Sequence, residues 1–302
     1  MPPPVGSSEV GSFHPGELSV QERAGRRSRA VIGDKVPPVA AAFLAEQPLI
    51  VVAGRDEAGR VWITMLDGAA GFAEAPDDRT IHVHRRPSVD DPLAHLAATG
   101  GQVGMIALDH DRRMRVNGEL SPAPDGFVIR TEQVFANCHK YISERHPTVV
   151  DQPPTEVRRG AALTDRQIAL VTSASTFFIG TAHPDGPADA SHRGGNPGFV
   201  VVDDPSRLRW ADYLGNGMYM TLGNIALDPR LGLLFVDWDT GGLLQLTGRA
   251  RLDWTPTPDR RLPGGERLVE VEIDAVQETD HALGLRWGTA ILSPFNPPLT
   301  VG

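Results

Sequence analysis

Cysteine and long hydrophobic runs are scarce in this sequence. Cys138 is the single cysteine among 302 residues, so an intramolecular disulfide and a zinc site built from several thiolates are both excluded. No apolar run approaches the ~18 residues that a membrane-spanning helix needs. Residues 1–8 also lack the apolar core of a signal peptide. We therefore predict a cytoplasmic protein with no membrane partner.

Positive charge is in deficit as well. The chain has 29 Lys and Arg residues against 38 Asp and Glu residues, which gives a formal net charge of −9. Proteins that bind nucleic acid usually show a basic stripe. The one basic cluster, residues 23–29, is short and is interpreted as a solvated helix face. No nucleic-acid partner is predicted.

Two motifs of large enzyme classes are missing from the sequence. There is no Gly-x-Ser-x-Gly elbow, which excludes a serine hydrolase built on that turn. There is no G-x-G-x-x-G fingerprint either, which excludes a dinucleotide-binding fold of the usual parallel kind.

Glycine and proline are frequent, with 32 and 26 residues, and the glycines recur at a fixed spacing. Four residues reappear 127 positions later (59 to 186, 72 to 199), namely Gly59, Gly68, Gly71 and Phe72 as Gly186, Gly195, Gly198 and Phe199. Two more segments recur in the same order, 103–109 as 231–237 and 114–118 as 244–248. We interpret this pattern as a duplication and name the copies repeat one and repeat two.

Both repeats show the same order of predicted elements. A helix at 39–46 or 164–171 comes first, and Thr164 with Gln167 forms a capping box at the start of the second. Strands and turns, a short helix, and a long hairpin with a closing strand follow. Six strands with period-two patterning and one helix suit a small antiparallel barrel. We therefore predict a mainly β fold with short helices, in which two tandem antiparallel split β-barrels form a pseudo-dimer.

The predicted division of the chain follows the repeats. It consists of an N-terminal extension with a helix (1–36), repeat one (37–143), a proline-rich linker (144–160) and repeat two (161–302).

Three stretches of repeat two resemble the FMN-binding split barrels of the pyridoxamine 5′-phosphate oxidase-like superfamily. Residues 180–199 are similar to the first hairpin of that family, 228–235 to its N-P-x-x-x-L-x-F strand, and 244–250 to its x-R-V-x-G-x-A strand. Further segments, 13–25, 135–142 and 215–224, resemble a bacterial two-repeat subfamily. The resemblance implies an FMN-dependent oxidoreductase that acts on a small molecule, with NAD(P)H or a separate reductase as the electron donor.

The resemblance also implies where the flavin phosphate would bind. Arg193 suits a bidentate grip on a dianion, Thr221 lies near the start of a helix that favours anions, and Gly194 and Gly195 would let the backbone approach the flavin. The predicted cofactor-binding residues are Ser191, His192, Arg193, Gly194, Asn216, Tyr219, Met220, Thr221 and Gln245. Relatives usually have an Arg-Lys pair where this chain has Tyr219 and Met220, which predicts a weakened phosphate clamp.

Repeat one offers no cationic side chain at the equivalent positions, 64–68 and 92–94. It is therefore predicted to be mainly structural and to contribute one wall to a single site in repeat two. The segment after its last strand is dense in polar groups and is a candidate for that wall, through Asn137, Cys138, His139 and Tyr141. The sequence identifies no catalytic residue.

The remaining histidines leave two alternatives to a flavin enzyme. His82 and His84 lie two apart on a predicted strand and face one side, but no third ligand can be fixed, so no metal site is predicted. Some split-barrel relatives bind haem through a histidine. A non-catalytic flavin or haem carrier or sensor, and a split barrel that has lost its cofactor, therefore stay open beside the enzyme. A further homodimer also stays open.

Overall fold

The computed structural model describes residues 13–28, 30–136, 139–150 and 156–299. The helices are α1 (Pro15–Arg23), α2 (Pro38–Glu46), α3 (Ala94–Thr99), α4 (Asp165–Ser173) and α5 (Met220–Leu227). Strands account for most of the regular structure, so the predicted mainly β class is confirmed. No helix within the described ranges is long and apolar enough to cross a membrane.

Repeat one folds into a seven-stranded antiparallel sheet. Its strands are β1 (Leu49–Arg55), β2 (Val61–Asp67), β3 (Ala73–Asp77), β4 (Thr80–Val83), β5 (Gly101–Leu108), β6 (Arg113–Ala123) and β7 (Gly126–Ala136). They lie in the order β2-β1-β5-β6-β7-β4-β3.

The second large sheet contains the strands of repeat two and one short strand of the predicted linker, whereas two other short strands form a separate two-stranded sheet. The strands are β8 (Pro147–Val149), β9 (Val157–Gly160), β10 (Thr176–Ala182), β11 (Ala188–Gly194), β12 (Val200–Asp204), β13 (Arg207–Tyr213), β14 (Arg230–Asp237), β15 (Gly242–Asp253), β16 (Gly265–Thr279) and β17 (Leu285–Trp287). The order β11-β10-β14-β15-β16-β13-β12 matches the first sheet strand for strand, β9 adds to β16, and β17 pairs with β8.

The two sheets share a backbone irregularity as well as an order. The β6–β7 ladder shifts register at Gly118, and the β15–β16 ladder shifts at Gly248. A Cβ at either glycine would lie 2.1 Å from a carbonyl oxygen of the neighbouring strand. Glycine is therefore required at both bulges, which explains why it ends both of the recurring segments 114–118 and 244–248.

Each sheet has its own apolar core, and a third core joins the two. That third cluster combines Val51, Ile63 and Ile106 of the first sheet with Phe178, Ala190 and Leu234 of the second. The contact between the sheets is reciprocal. A Cβ on Gly104 of β5 would lie 2.6 Å from the backbone of Asp189, and one on Gly232 of β14 would lie 2.8 Å from Cα of Trp62. Such mutual contacts are those of an isologous interface.

The structure contains strands that were not predicted from the sequence. Strands β3 and β12 are short strands at the edges of their sheets, and β3 contains a proline that removes one hydrogen-bond donor. The predicted linker is partly regular, since β8 and β9 lie within it. The capping box at Thr164 is present in α4. The predicted division into domains at particular residues stays a prediction.

Candidate functional site

A cleft lies between the two sheets at the start of α5. It is walled by β11, β13 and the residues before α5 from repeat two, and by β6 and the residues after β7 from repeat one. We call it the cationic cleft, because its lining carries four cationic side chains, Arg113, Arg115, Lys140 and Arg193, against one carboxylate, Asp212.

Eight of the nine predicted cofactor-binding residues line this cleft. They are Ser191, His192, Arg193, Gly194, Asn216, Tyr219, Met220 and Thr221. The ninth, Gln245, lies elsewhere: its side-chain amide donates to the carbonyl oxygen of Ile63 at 3.0 Å and to Asp91 at 3.2 Å. Of the predicted wall residues, Tyr141 lines the cleft, His139 packs its ring against Phe295 instead, and Asn137 and Cys138 lie outside the described residues.

Arg193 is held on β11 inside the cleft. Its Nη1 atom donates to the Ser191 hydroxyl at 2.7 Å and to the carbonyl oxygen of His192 at 2.9 Å. Burial lowers the pKa of Arg193, while the charge of Asp212 opposes that shift. Burial likewise raises the pKa of Asp212, against the charges of Arg193 and Arg267. The charge of Asp212 therefore only partly compensates the buried arginine, which favours an anionic ligand.

Repeat one supplies two arginines to the cleft, and the sequence reading missed both as ligands. Arg113 donates through Nη2 to the carbonyl oxygen of Lys140 at 3.0 Å. Arg115 is 3% exposed and forms a buried ion pair with Asp189 of β11. The signal was in the sequence, since residues 115–118 of repeat one read Arg-Val-Asn-Gly. Because the sheets pack against each other, this arginine enters the cleft of the other repeat.

His192 lies between Arg113 of repeat one and Arg193 of repeat two, and it contacts both. Its Nδ1 atom lies 3.1 Å from Nη1 of Arg113, which can only donate. Burial, reinforced by the charges of Arg113 and Arg193, holds the pKa of His192 well below its usual value of 6.5. The ring is therefore neutral and its proton is on Nε2. This atom is buried and has no hydrogen-bond partner within the described ranges, so it is a donor without an acceptor.

Comparison with known proteins places this half of the chain in a family. Residues 163–285 match the family model described as pyridoxamine 5′-phosphate oxidase. Repeat two belongs to the pyridoxamine 5′-phosphate oxidase-like superfamily. No curated protein matches the sequence.

Several solved split-barrel structures are similar to part of the chain. A putative pyridoxamine 5′-phosphate oxidase from Lactobacillus delbrueckii is 17% identical and covers 38% of this chain and 93% of its own, with a TM-score of 0.32. A conserved hypothetical protein from Mycobacterium tuberculosis is 20% identical, with coverages of 45% and 96% and a TM-score of 0.30. HupZ from Group A Streptococcus is 10% identical, with coverages of 37% and 90% and a TM-score of 0.30.

The start of α5 presents backbone donors to the cationic cleft. Its N-cap residue, Tyr219, is in the left-handed region with φ 57°, and no side chain caps the first turn. Tyr141, across the cleft, has φ 67° and donates its hydroxyl to the carbonyl oxygen of Leu214 at 3.0 Å. Uncapped N–H groups and the helix dipole attract anions, and strained backbone concentrates at ligand sites.

The two glycines that were expected to approach a flavin serve the protein's own packing. A Cβ on Gly194 would lie 1.9 Å from the carbonyl oxygen of Tyr141, and one on Gly195 would lie 2.5 Å from the ring of Phe199. Each glycine is therefore required by the protein's own packing, and the approach of either to a flavin stays a prediction. Gly194 still lines the cleft.

A second cleft occupies the equivalent place in repeat one, and we call it the counterpart cleft. Its lining carries four carboxylates and two arginines beside His84, namely Asp67, Asp90, Asp91, Asp125, Arg85 and Arg86. The positions that match His192 and Arg193 hold Met65 and Leu66. Asp91 accepts a hydrogen bond from Thr64, and burial raises its pKa. The counterpart cleft is therefore unsuited to a phosphate.

Proposed function

We propose that the protein binds FMN in the cationic cleft and acts as an FMN-dependent oxidoreductase on a small molecule. The observation that carries the proposal is the convergence of cations from both repeats on one cleft. A flavin phosphate is a dianion near neutral pH. Arg115 is paired with Asp189, and Arg113, Lys140 and Arg193 give the cleft the further positive charge that such a group needs.

The residues present fit a phosphorylated flavin at three points. Arg193 would grip the phosphate, since a guanidinium binds phosphate oxygens in a bidentate manner. The uncapped start of α5 would donate backbone N–H groups to it. His192 would donate a hydrogen bond from its buried Nε2, which has no partner among the described residues, to an oxygen or ring nitrogen of the ligand. FMN, once bound, supplies the hydride or electron transfer.

Arg113 and Arg115 also address the missing Arg-Lys pair at Tyr219 and Met220. Both side chains come from β6 of repeat one and line the same cleft. We infer that repeat one takes the place of a second subunit within one chain and that Arg113, rather than Arg115, which is paired with Asp189, restores positive charge that repeat two lacks. In this reading repeat one is a structural partner that contributes one wall to a single site.

A comparison of FMN with riboflavin tests the phosphate site. The two ligands share the ring system and differ in the phosphate. Arg193→Ala should weaken FMN binding about 10- to 100-fold, the effect of one or two charge-assisted hydrogen bonds, and should leave riboflavin binding unchanged. Titration by flavin fluorescence measures both. Arg207→Ala, at a surface arginine of β13 paired with Asp204, is the matched control and should change neither.

Absorption spectroscopy of the wild-type protein distinguishes an enzyme from a carrier. An absorption spectrum of the purified chain, with mass identification of any released chromophore, should show FMN. Bleaching of the bound flavin by NAD(P)H would support the oxidoreductase. A Soret band would instead indicate a haem protein, and a colourless chain that also takes up no added FMN would overturn the proposal.

A further inference from the structure

A cluster of imidazoles and carboxylates lies on repeat one, away from the cationic cleft. Glu74 on β3 pairs in register with His82 on β4, and His84 follows two residues later on the same face. The candidate ligand atoms of Glu74, His82 and His84 all lie within 4.8 Å of one another. The sequence supplied the two histidines, and the pairing of β3 with β4 adds the third group.

We propose that Glu74, His82 and His84 form a binding site for one divalent transition-metal ion, with Zn²⁺ as the best candidate. Two imidazoles and one carboxylate are a ligand set that such ions accept. The side chains of Glu74, His82 and His84 are 49%, 25% and 32% exposed, so the remaining coordination positions face solvent. Water or a small ligand would complete the coordination.

Asp125 contacts the rings of both His82 and His84 and could support them as metal ligands without binding the ion itself. It lies in the turn between β6 and β7, where one carboxylate oxygen is 3.1 Å from Nε2 of His82 and the other is 2.5 Å from Nδ1 of His84. Each ring therefore has one nitrogen on Asp125. The other nitrogen of His84, Nε2, lies 3.2 Å from a carboxylate oxygen of Glu74, and a metal ion bound to both residues would replace this contact. A carboxylate behind a metal-binding histidine fixes the ring and strengthens the ligand.

The backbone holds Asp125 in this place. A Cβ on Gly126 would lie 1.8 Å from the carbonyl oxygen of Val83, so the β6–β7 turn sits directly against the end of β4. Arg86 donates through Nε to the carbonyl oxygen of Gly126 at 3.2 Å. The four side chains thus come from three segments that are tied together. A bound ion would link these segments and stabilise repeat one.

Calorimetric titration of the full, untagged and chelator-treated chain with Zn²⁺ tests the site. We expect one ion per chain, a rise in Tm on adding Zn²⁺, and ligand-field bands when Co²⁺ is used as the probe. His82→Ala and His84→Ala should each abolish the saturable binding and the Tm shift. Asp125→Asn should retain binding with an affinity about 10- to 100-fold lower, the usual size of an outer-partner effect.

Two other histidine variants make the test specific. His95 pairs with Glu57 at 2.6 Å and is not part of the cluster, so His95→Ala should bind Zn²⁺ as the wild type does. His110 lies between Asp109 and Asp111 in an exposed turn that also groups three candidate ligand side chains. If His110→Ala removes the binding while His84→Ala does not, the proposal is overturned. It is equally overturned if the chain shows no stoichiometric binding of Zn²⁺.

Discussion

The cationic cleft and the counterpart cleft occupy matching places in two sheets of the same strand order, yet they carry opposite charge. Arg193 and His192 in one correspond to Leu66 and Met65 in the other. Arg115 enters the cationic cleft from repeat one. Its counterpart is Gln245 of repeat two, which donates a hydrogen bond to Asp91 of repeat one. Matching backbones therefore hold different chemistry, because the fold depends on apolar patterning and glycines while the ligand depends on a few buried charges.

The buried charges explain why only one of the clefts suits an anion. In the cationic cleft the carboxylate of Asp189 is taken up by Arg115, so the other cations remain in excess. In the counterpart cleft Asp91 receives only neutral donors, from Thr64, Leu93 and Gln245. A phosphate there would meet an uncompensated carboxylate in a medium of low dielectric constant, where repulsion is strong. A fold with two equivalent places thus has one proposed binding site.

The largest expected effect comes from breaking the ion pair that distinguishes the two clefts. Arg115→Met leaves the carboxylate of Asp189, which is 1% exposed, buried without its partner. We expect a loss of about 3–5 kcal/mol in the free energy of unfolding, measured by urea denaturation. The double variant Arg115→Met/Asp189→Leu should regain most of this loss, because apolar replacement of a whole buried pair is often neutral.

The matching change at Gln245, the counterpart of Arg115, gives a reference value for that result. Gln245→Met removes neutral hydrogen bonds to Ile63 and Asp91 and should cost about 1–3 kcal/mol. If it costs as much as Arg115→Met, the two clefts do not differ in buried charge as the comparison requires.

A pH-dependent difference is expected behind the cationic cleft, where α1 packs on α5. Burial raises the pKa of Glu17 from 4.5 to about 7. Between these values the unfolded chain has released this proton and the folded chain has not, so stability falls as pH rises. The contribution amounts to about 3 kcal/mol. Burial lowers the pKa of His14 to about 4, which works in the opposite direction below pH 6.5.

Glu17→Gln isolates the contribution of the carboxyl group. Relative to the wild type, the variant should gain unfolding free energy as the pH is raised from about 4.5 to about 8. Urea denaturation at several pH values measures the gain. Glu22→Gln, at an exposed position of the same helix, is the control for the loss of one carboxylate from α1. A flat difference for Glu17→Gln would mean that Glu17 titrates normally in the folded protein.

A smaller effect is expected at Arg113, whose counterpart is Leu243. Arg113→Ala removes one cation from the cleft and the hydrogen bond to Nδ1 of His192. FMN affinity should fall about 10-fold, equivalent to ~1.4 kcal/mol, with little change for riboflavin. The pKa of His192 should also rise, since Arg113 is the second cause of its depression after burial. NMR titration of the imidazole follows that shift, and an unchanged pKa would contradict the assigned contact.

The sequence predicted the fold better than it predicted the site. Apolar alternation and glycine spacing are local signals, and they gave the helices and most strands of both repeats. Gly118 and Gly248 recur because each bulge forbids a Cβ. The edge strands β3 and β12 were not predicted, because an edge strand with one exposed face needs little apolar pattern.

Long-range packing accounts for the parts of the site that were missed. The predicted residues of β11 are contiguous in sequence, and so are those at the start of α5. Both groups line the cationic cleft. Arg113 and His192 are 79 positions apart, and only the packing of the two sheets brings them together. The placement of Gln245 failed for the same reason. The Arg-Val-x-Gly pattern contributes to the cleft of the other repeat, so its arginine had to be sought at position 115.

The smallest effect is expected at Arg85 in the counterpart cleft. Its side chain is 57% exposed, and its nearest carboxylate, Asp67, is 3.9 Å away. Exposed pairs of this kind contribute little, so Arg85→Ala should change the unfolding free energy by less than about 0.5 kcal/mol. FMN affinity should also be unchanged, because the variant leaves the cationic cleft intact. Titration with FMN provides the decisive measurement. A clear loss of affinity in Arg85→Ala would place flavin in the counterpart cleft, and the asymmetry between the clefts would then lie in how each binds the phosphate rather than in whether it does.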